Sequence, residues 1–316
     1  METCLVGLVV FLVSLLLSLF SFPYFIRKLM QNKIMGVDVY KIDKRKVAER
    51  GGLIALSIAV AVTIVSLVFT SVSLELLVII VVVCFFGFHG LIDDVIGFDR
   101  LKNLVLPFFY PLFLFFVIKD TVINIHFFGA IDLGMALFFI VIVVYVAVCS
   151  NLINLHAGFN GMSIGTAVII LFTLFLKFFI DGKSNNLLFF FALLGSFIGF
   201  LWFNKYPARV FEGNVGTYAI GAAIGIFIVM QNYFISGLIM LFPHIVCFLM
   251  DTYGYFRREK HIKFGIVRID GTIKPPNPYE LSWVFPYYFR MKEKQITFLM
   301  LLLTSVFCLI SLFVPF

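Results

Sequence analysis

Charged side chains are scarce in this sequence: 24 Lys and Arg and 17 Asp and Glu among 316 residues, or 13% of the chain. Soluble domains carry about 25%, so an ordinary water-facing surface is excluded. Cysteine is sparse too. Cys4, Cys84, Cys149, Cys247 and Cys308 all fall inside apolar runs, with neither a CxxC pair nor a Cys/His cluster. They read as buried thiols and imply no disulfide framework and no zinc site. The sequence also lacks GxxxxGK[ST] and HExxH, so the phosphate-loop and zincin chemistries have no motif to rest on.

What fills the chain is hydrocarbon. Hydrophobic residues make up 62% and the mean hydropathy is +1.09, the composition of a polytopic membrane protein. At about 20 apolar residues per helical crossing, ten spans are expected: 4–22, 53–70, 75–92, 103–118, 133–150, 162–180, 187–203, 216–231, 234–252 and 296–315. All should be helical, because backbone groups cannot stay unpaired in lipid and no in/out alternation marks a barrel. The first span has neither a basic segment before it nor an A-x-A-like cleavage site, so it is expected to be retained. No repeat of hydropathy and no low-complexity linker divides the chain, which reads as one all-α membrane domain over 1–316.

Alternate gaps between these spans collect the basic residues. Eight lie in 23–52, two in 93–102, two in 204–215 and nine in 253–295, which is 21 of the 24. Lys119, Lys177 and Lys183 remain for the other side. By the positive-inside rule the basic gaps face the cytoplasm and both termini lie outside. The net charge of +7 is therefore a topology signal and does not point to nucleic acid.

Four polar clusters share the cytoplasmic side. Asp93 and Asp94 end the third span in "GFHGLIDDVIGFDR"; Asn151, Asn154 and Asn160 lie in "NLINLHAGFNGM"; Asn214 ends "NKYPARVFEGN"; and 253–295 forms a basic loop. Each has a plainer reading alone: a solvated helix end, a cap, a helix-packing GxxxG at Gly221 and Gly225, or basic contact with anionic lipid. Together they suit phosphate handling. Magnesium is held by one or two carboxylates plus substrate phosphates, and Asn carbonyls can add oxygen. Gly213 and Gly216 would let backbone approach an anion. Asp251 and Glu75, the other acids near spans, are assigned to helix ends. "FGIVRIDGTIK" suggests a hairpin turning at Asp270-Gly271, a basic clamp for pyrophosphate.

These motifs resemble those of the polyprenyl-phosphate N-acetylhexosamine-1-phosphate transferases, in order and over nearly the whole chain. The family's DD is similar to Asp93-Asp94, its N-x-x-N-x-x-x-G-x-x-G loop to Asn151, Asn154, Gly158 and Gly161, and its F-x-G-D to "FEGN". "AGFNG", "PHIVCFL" and "KIDKRKVAERGGL" resemble the dolichyl-phosphate GlcNAc-1-phosphotransferase branch, in an archaeal type with a compact last loop. The resemblance implies a ten-helix enzyme with a cytoplasmic active site. It would move GlcNAc-1-phosphate from UDP-GlcNAc to dolichyl phosphate with Mg2+ or Mn2+, and release UMP.

By the same resemblance, Asp93 and Asp94 are catalytic and metal-binding, Asn154 and Asn214 bind metal, and Glu49, Lys102, Asn151, Asn154, Asn160, Lys260, His261 and Lys263 bind substrate. Two positions depart from the family. Asn214 stands where it has aspartate, and Lys260-His261 with Lys263 replace its R-H-R or H-H cluster. Expected partners are the UDP-sugar, the lipid phosphate, membrane lipid and a second copy of the chain. The location is the cell membrane for an archaeal protein or the endoplasmic reticulum for a eukaryotic one. UDP-GalNAc or UDP-MurNAc-pentapeptide is the alternative donor. An ion-coupled transporter and a catalytically silent family member are the rival readings.

Overall fold

The computed structural model describes residues 2–118, 121–125, 129–183, 187–257 and 264–314. Helix α1 (Glu2–Gln31) leads through a hairpin, β1 (Met35–Val37) and β2 (Lys46–Ala48), into α2 (Gly51–Ser66) and α3 (Leu74–Ile96). After the short α4 (Arg100–Val105), 3-10 turns occupy Leu106–Phe108 and Tyr110–Phe116. A second hairpin, β3 (Val122–Ile125) and β4 (Gly129–Asp132), precedes α5 (Gly134–Leu155), α6 (Met162–Ile180), α7 (Leu188–Asn204) and α8 (Gly213–Met230). Then come α9 (Phe234–Met240), α10 (Phe242–Phe256), β5 (Ile266–Val267), β6 (Thr272–Lys274), α11 (Leu281–Tyr288), β7 (Met291–Lys292) and α12 (Glu293–Leu312).

Six helices are long and apolar enough to cross a membrane, or seven if the pair α9–α10, bent by 63°, counts as one. This is a mostly helical, multi-pass membrane protein. Helices α2 and α7 have only 16 and 17 residues; at 1.5 Å per residue they reach about 25 Å, a little less than the roughly 30 Å hydrocarbon core. The expected continuous helix over 103–118 does not form. Pro107 and Pro111 each remove a backbone donor and clash with the carbonyl four residues back, and the chain answers with 3-10 turns. The expected single span over 234–252 is bent where Pro243 occupies the first turn of α10.

Helix α8 is the hub, with 83% of its span buried inside the protein. Small residues make this possible by letting backbones close in. The Cα of Gly52 in α2 lies against Gly216, where a side chain on Gly52 would overlap the α8 backbone. Across the other face, a Cβ on Gly221 would sit 2.8 Å from the Cα of Ser150, and one on Gly225 2.9 Å from the Cα of Val146. The GxxxG is thus a packing seam with α5. Gly216 serves the same purpose rather than admitting an anion.

The loops before α2, after α3, after α5, before α8 and before α12 gather at one end of the bundle. The Asp270-Gly271 hairpin is present: Val267 pairs with Ile273, and Gly271 takes a φ of 76°. Asp270 Oδ1 accepts from the Thr272 amide at 2.9 Å and its hydroxyl at 2.6 Å, which holds the Asp270 carboxyl below its ordinary range. Strand β7 adds to this hairpin, a pairing that two residues of sequence do not signal. Glu75 sits in the first turn of α3, as expected. Asp251, in the second half of α10, pairs with Arg100 at 2.7 Å.

Candidate active site

The two adjacent carboxylates occupy the last turn of α3 and are satisfied by different partners. Asp93 is 7% exposed. Its Oδ1 accepts from the Phe98 amide at 2.7 Å, while Oδ2 accepts from the side-chain amides of Asn103 at 3.0 Å and Asn214 at 2.7 Å. Asp94 accepts from the backbone amides of Asn214 (2.9 Å) and Val215 (3.3 Å). Those are free N–H groups in the first turn of α8, where the helix dipole favours negative charge. Gly213 makes the approach possible: its φ is 67°, and a Cβ there would lie 2.6 Å from Asp94 Oδ2.

Around this pair stand further polar groups. Thr217 Oγ1 lies 2.5 Å from Asn154 Oδ1 and 3.1 Å from the Asn214 carbonyl; its single proton can serve one of them at a time. Arg50 Nη2 donates to the Asp94 carbonyl at 3.0 Å. Glu212 accepts from Asn204 Nδ2 at 2.8 Å. Burial pushes the Glu212 carboxyl up, and the charges of Asp94 and Glu49 push the same way. Glu49, Asp94 and Glu212 therefore form one electrostatic neighbourhood.

Of the residues singled out in the sequence, the structure brings together Asp93, Asp94, Asn214, Asn154 and Glu49. Three others point elsewhere. Asn151 donates back to the Ala147 carbonyl of its own helix at 3.0 Å. The exposed Lys102 pairs with Asp99 at 2.9 Å, and it is the neighbouring Asn103 that reaches Asp93. Asn160 donates through its backbone to Glu293 (2.9 Å) and through Nδ2 to Asp38 (3.0 Å). Lys41 completes that buried knot, 3.1 Å from Asp38 and paired with Glu293. Lys260, His261 and Lys263 lie outside the described residues. Sequence reasoning passed over Arg50, Asn103, Glu212 and Thr217. Only their nearness to Glu49, Lys102 and "GN" marked them.

Among the described residues no group of three His, Cys, Asp or Glu is placed to hold a metal. The donors present are two carboxylates, amide oxygens and a hydroxyl, all hard oxygen ligands, and the buried Asn103 Oδ1 has no hydrogen-bond partner among the described residues. Such a set does not form a complete protein cage. It fits Mg2+ or Mn2+, which take one or two carboxylates and complete their shells with water and substrate phosphate.

Comparison with known proteins places this arrangement. The family described as glycosyl transferase family 4 matches residues 76–232, the stretch holding Asp93, Asp94, Asn154 and Asn214. A Methanocaldococcus jannaschii protein, provisionally named a glycosyltransferase, is 31% identical over 75% of this chain and 73% of its own length. The chain belongs to glycosyl transferase family 4. Within that family, a Saccharolobus solfataricus relative is 29% identical over 95% of this chain and 94% of its own. Its provisional name is UDP-N-acetylglucosamine–dolichyl-phosphate N-acetylglucosaminephosphotransferase. The phospho-N-acetylmuramoyl-pentapeptide-transferase of Wolbachia pipientis is 26% identical over 80% and 84%. Archaeal relatives within glycosyl transferase family 4 thus bear out the dolichyl branch expected from "AGFNG" and the archaeal type expected from the compact last loop.

Proposed function

We propose that this protein transfers GlcNAc-1-phosphate from UDP-GlcNAc to a dolichyl or related polyprenyl phosphate, giving lipid-diphospho-GlcNAc and UMP. The observation that carries the reading is the hydrogen-bonded convergence of Asp93, Asp94, Asn154 and Asn214 from three helices at one end of the bundle. The archaeal relative that aligns along nearly the full length, named for this reaction, supports GlcNAc over the muramoyl donor.

An oxygen of the acceptor phosphate attacks the β-phosphorus of the donor. A new P–O bond forms there, the bond to the bridging oxygen breaks, and UMP leaves with the electron pair. Asp93 and Asp94, with Asn154 and Asn214, would hold a divalent cation, which supplies neutralisation of phosphoryl charge when bound. Asp93 is anchored by the Phe98 backbone amide and the side-chain amides of Asn103 and Asn214, which fixes its orientation before substrate arrives. Asp94, facing the first turn of α8, is the candidate to take the acceptor's proton if that phosphate enters as its monoanion. Glu49 borders the site, while Lys260, His261 and Lys263 are proposed for the diphosphate. Lys102, Asn151 and Asn160 would need to leave their present partners to touch substrate.

The reading includes ten crossings in one domain over 1–316, the site on the cytoplasmic face and the cell membrane as location; no homodimer is proposed. A transporter reading is set aside, since the acids cluster at one end of the bundle and the relatives are transferases. The test supplies radiolabelled UDP-GlcNAc, dolichyl phosphate and Mg2+ to purified protein. UMP release with a labelled lipid is expected; silence with UDP-GlcNAc, UDP-GalNAc and UDP-MurNAc-pentapeptide alike would sink the reading.

A further inference from the structure

We propose that Arg50 is a phosphate-binding residue of this site, its guanidinium receiving a phosphate oxyanion of one of the two substrates beside Asp94. The proposal rests on the transferase reading above. Arg50 immediately precedes α2 in a left-handed conformation, φ 65° and ψ 31°, which a non-glycine residue adopts only when its surroundings enforce it. Here they do. Phe211 N donates to the Ala48 carbonyl at 2.8 Å, Gly51 N to Phe211 O at 2.8 Å and Gly52 N to Glu212 O at 2.9 Å. A Cβ on Gly213 would lie 3.1 Å from the Arg50 Cα. The strained residue is clamped between two glycines, and the clamp directs its side chain across to the end of α3.

What the side chain does there is incomplete. A guanidinium carries five N–H donors in a fixed fork. Nη2 meets the Asp94 carbonyl at 3.0 Å, and Nε is buried without a partner among the described residues. The Asp94 carboxylate, whose charge Arg50 offsets, gives its oxygens to the amides of Asn214 and Val215. The half-buried Arg50 therefore keeps unused donors beside Asp94, Glu49 and Glu212.

A strut tying α2 to α3 would need one donor, which Lys or Gln supplies equally well. A half-buried fork with donors to spare matches a tetrahedral oxyanion, whose oxygens accept two parallel N–H bonds. It would also offset the repulsion that this acidic neighbourhood presents to an incoming phosphate. Either the acceptor's monophosphate or the donor's diphosphate offers that chemistry.

Steady-state UMP release separates the two sources. Arg50→Gln is expected to raise KM for one substrate about tenfold or more while the other stays within about twofold, and Arg50→Lys to recover part of the loss. A raised acceptor KM assigns the fork to the lipid phosphate; a raised donor KM assigns it to the diphosphate. Unchanged KM values in folded Arg50→Lys and Arg50→Gln protein would make Arg50 a strut and overturn the proposal. If Arg50→Gln does not fold, Arg50→Lys alone decides. Calorimetric binding of inorganic pyrophosphate with Mg2+ reads the fork without turnover. Pyrophosphate or inorganic phosphate, titrated alike, should bind about tenfold more weakly to Arg50→Gln than to wild type, with a smaller loss in Arg50→Lys; equal affinity for both anions in the variants and wild type overturns the proposal. An inactive wild type that still binds pyrophosphate through Arg50 would sink the transferase reading alone.

Discussion

Two adjacent carboxylates at a span end look costly because like charges repel, and at the scale of single residues the cost is met by unlike partners. Asp93 faces side-chain amides and Asp94 faces the first turn of a helix. Asp94→Asn is expected to abolish UMP release while folded protein persists in size-exclusion chromatography, since an amide can neither take a proton nor carry the charge; near-normal turnover would remove Asp94 from the chemistry. Asn214 takes its meaning from the same contacts. Its amide donates to Asp93 at 2.7 Å, where a carboxylate could not donate and would add a third charge. Asn214→Asp should therefore lose about 1–3 kcal/mol of stability in EDTA and gain more from Mg2+ than wild type does, both read as Tm. Equal magnesium responses would argue that Asn214 stands outside the metal shell. The pairing of Asp93 with Asp94 was legible in the sequence. The amides that orient Asp93 were not, because neither the Asn214 bond across 121 positions nor the Asn103 bond across 10 positions and a loop leaves a local pattern.

Elements show the same division. Long apolar runs gave away α1, α3, α5, α6, α8 and α12, since hydrocarbon length alone demands them. The 3-10 segment after α4 and the bend between α9 and α10 follow prolines that hydropathy counts as ordinary apolar residues. Packing of α8 rests on glycine contacts, so Gly52→Ala should lower Tm by the equivalent of about 1–3 kcal/mol through backbone overlap with Gly216. Gly158→Ala, with nothing within 4 Å of the added carbon, should leave Tm unchanged. Glu280, at the N-cap of α11, is pushed up to about 7 by burial, with the Asp251 charge adding to this and the Ser282 hydroxyl opposing it. A carboxyl whose pKa rises on folding contributes stability when protonated and loses it as pH climbs from the unfolded value through about 7. Glu280→Gln should therefore raise Tm at pH 8 and change it little at pH 5; the same shift at both would show that ionisation of Glu280 is not involved.

On the scale of the whole molecule, the basic loops and the β3–β4 hairpin belong to opposite ends of the bundle. A membrane-impermeant maleimide should label Ala130→Cys in intact cells and Lys46→Cys only after permeabilisation, both positions being exposed. The reverse pattern would invert the proposed orientation. The sequence by itself determined that this chain lives in a membrane, which ends of its runs are basic and which motifs relate it to its family, because solvent preference and short motifs are written in neighbouring residues. Only the tertiary structure decided that Asn160 locks a buried ion-paired knot with Asp38, Lys41 and Glu293, that Asn103 rather than Lys102 reaches Asp93, and that Arg50 is clamped beside Asp94. Those outcomes depend on helices meeting through glycine seams, and the distance between residues far apart in the chain is set by that packing alone.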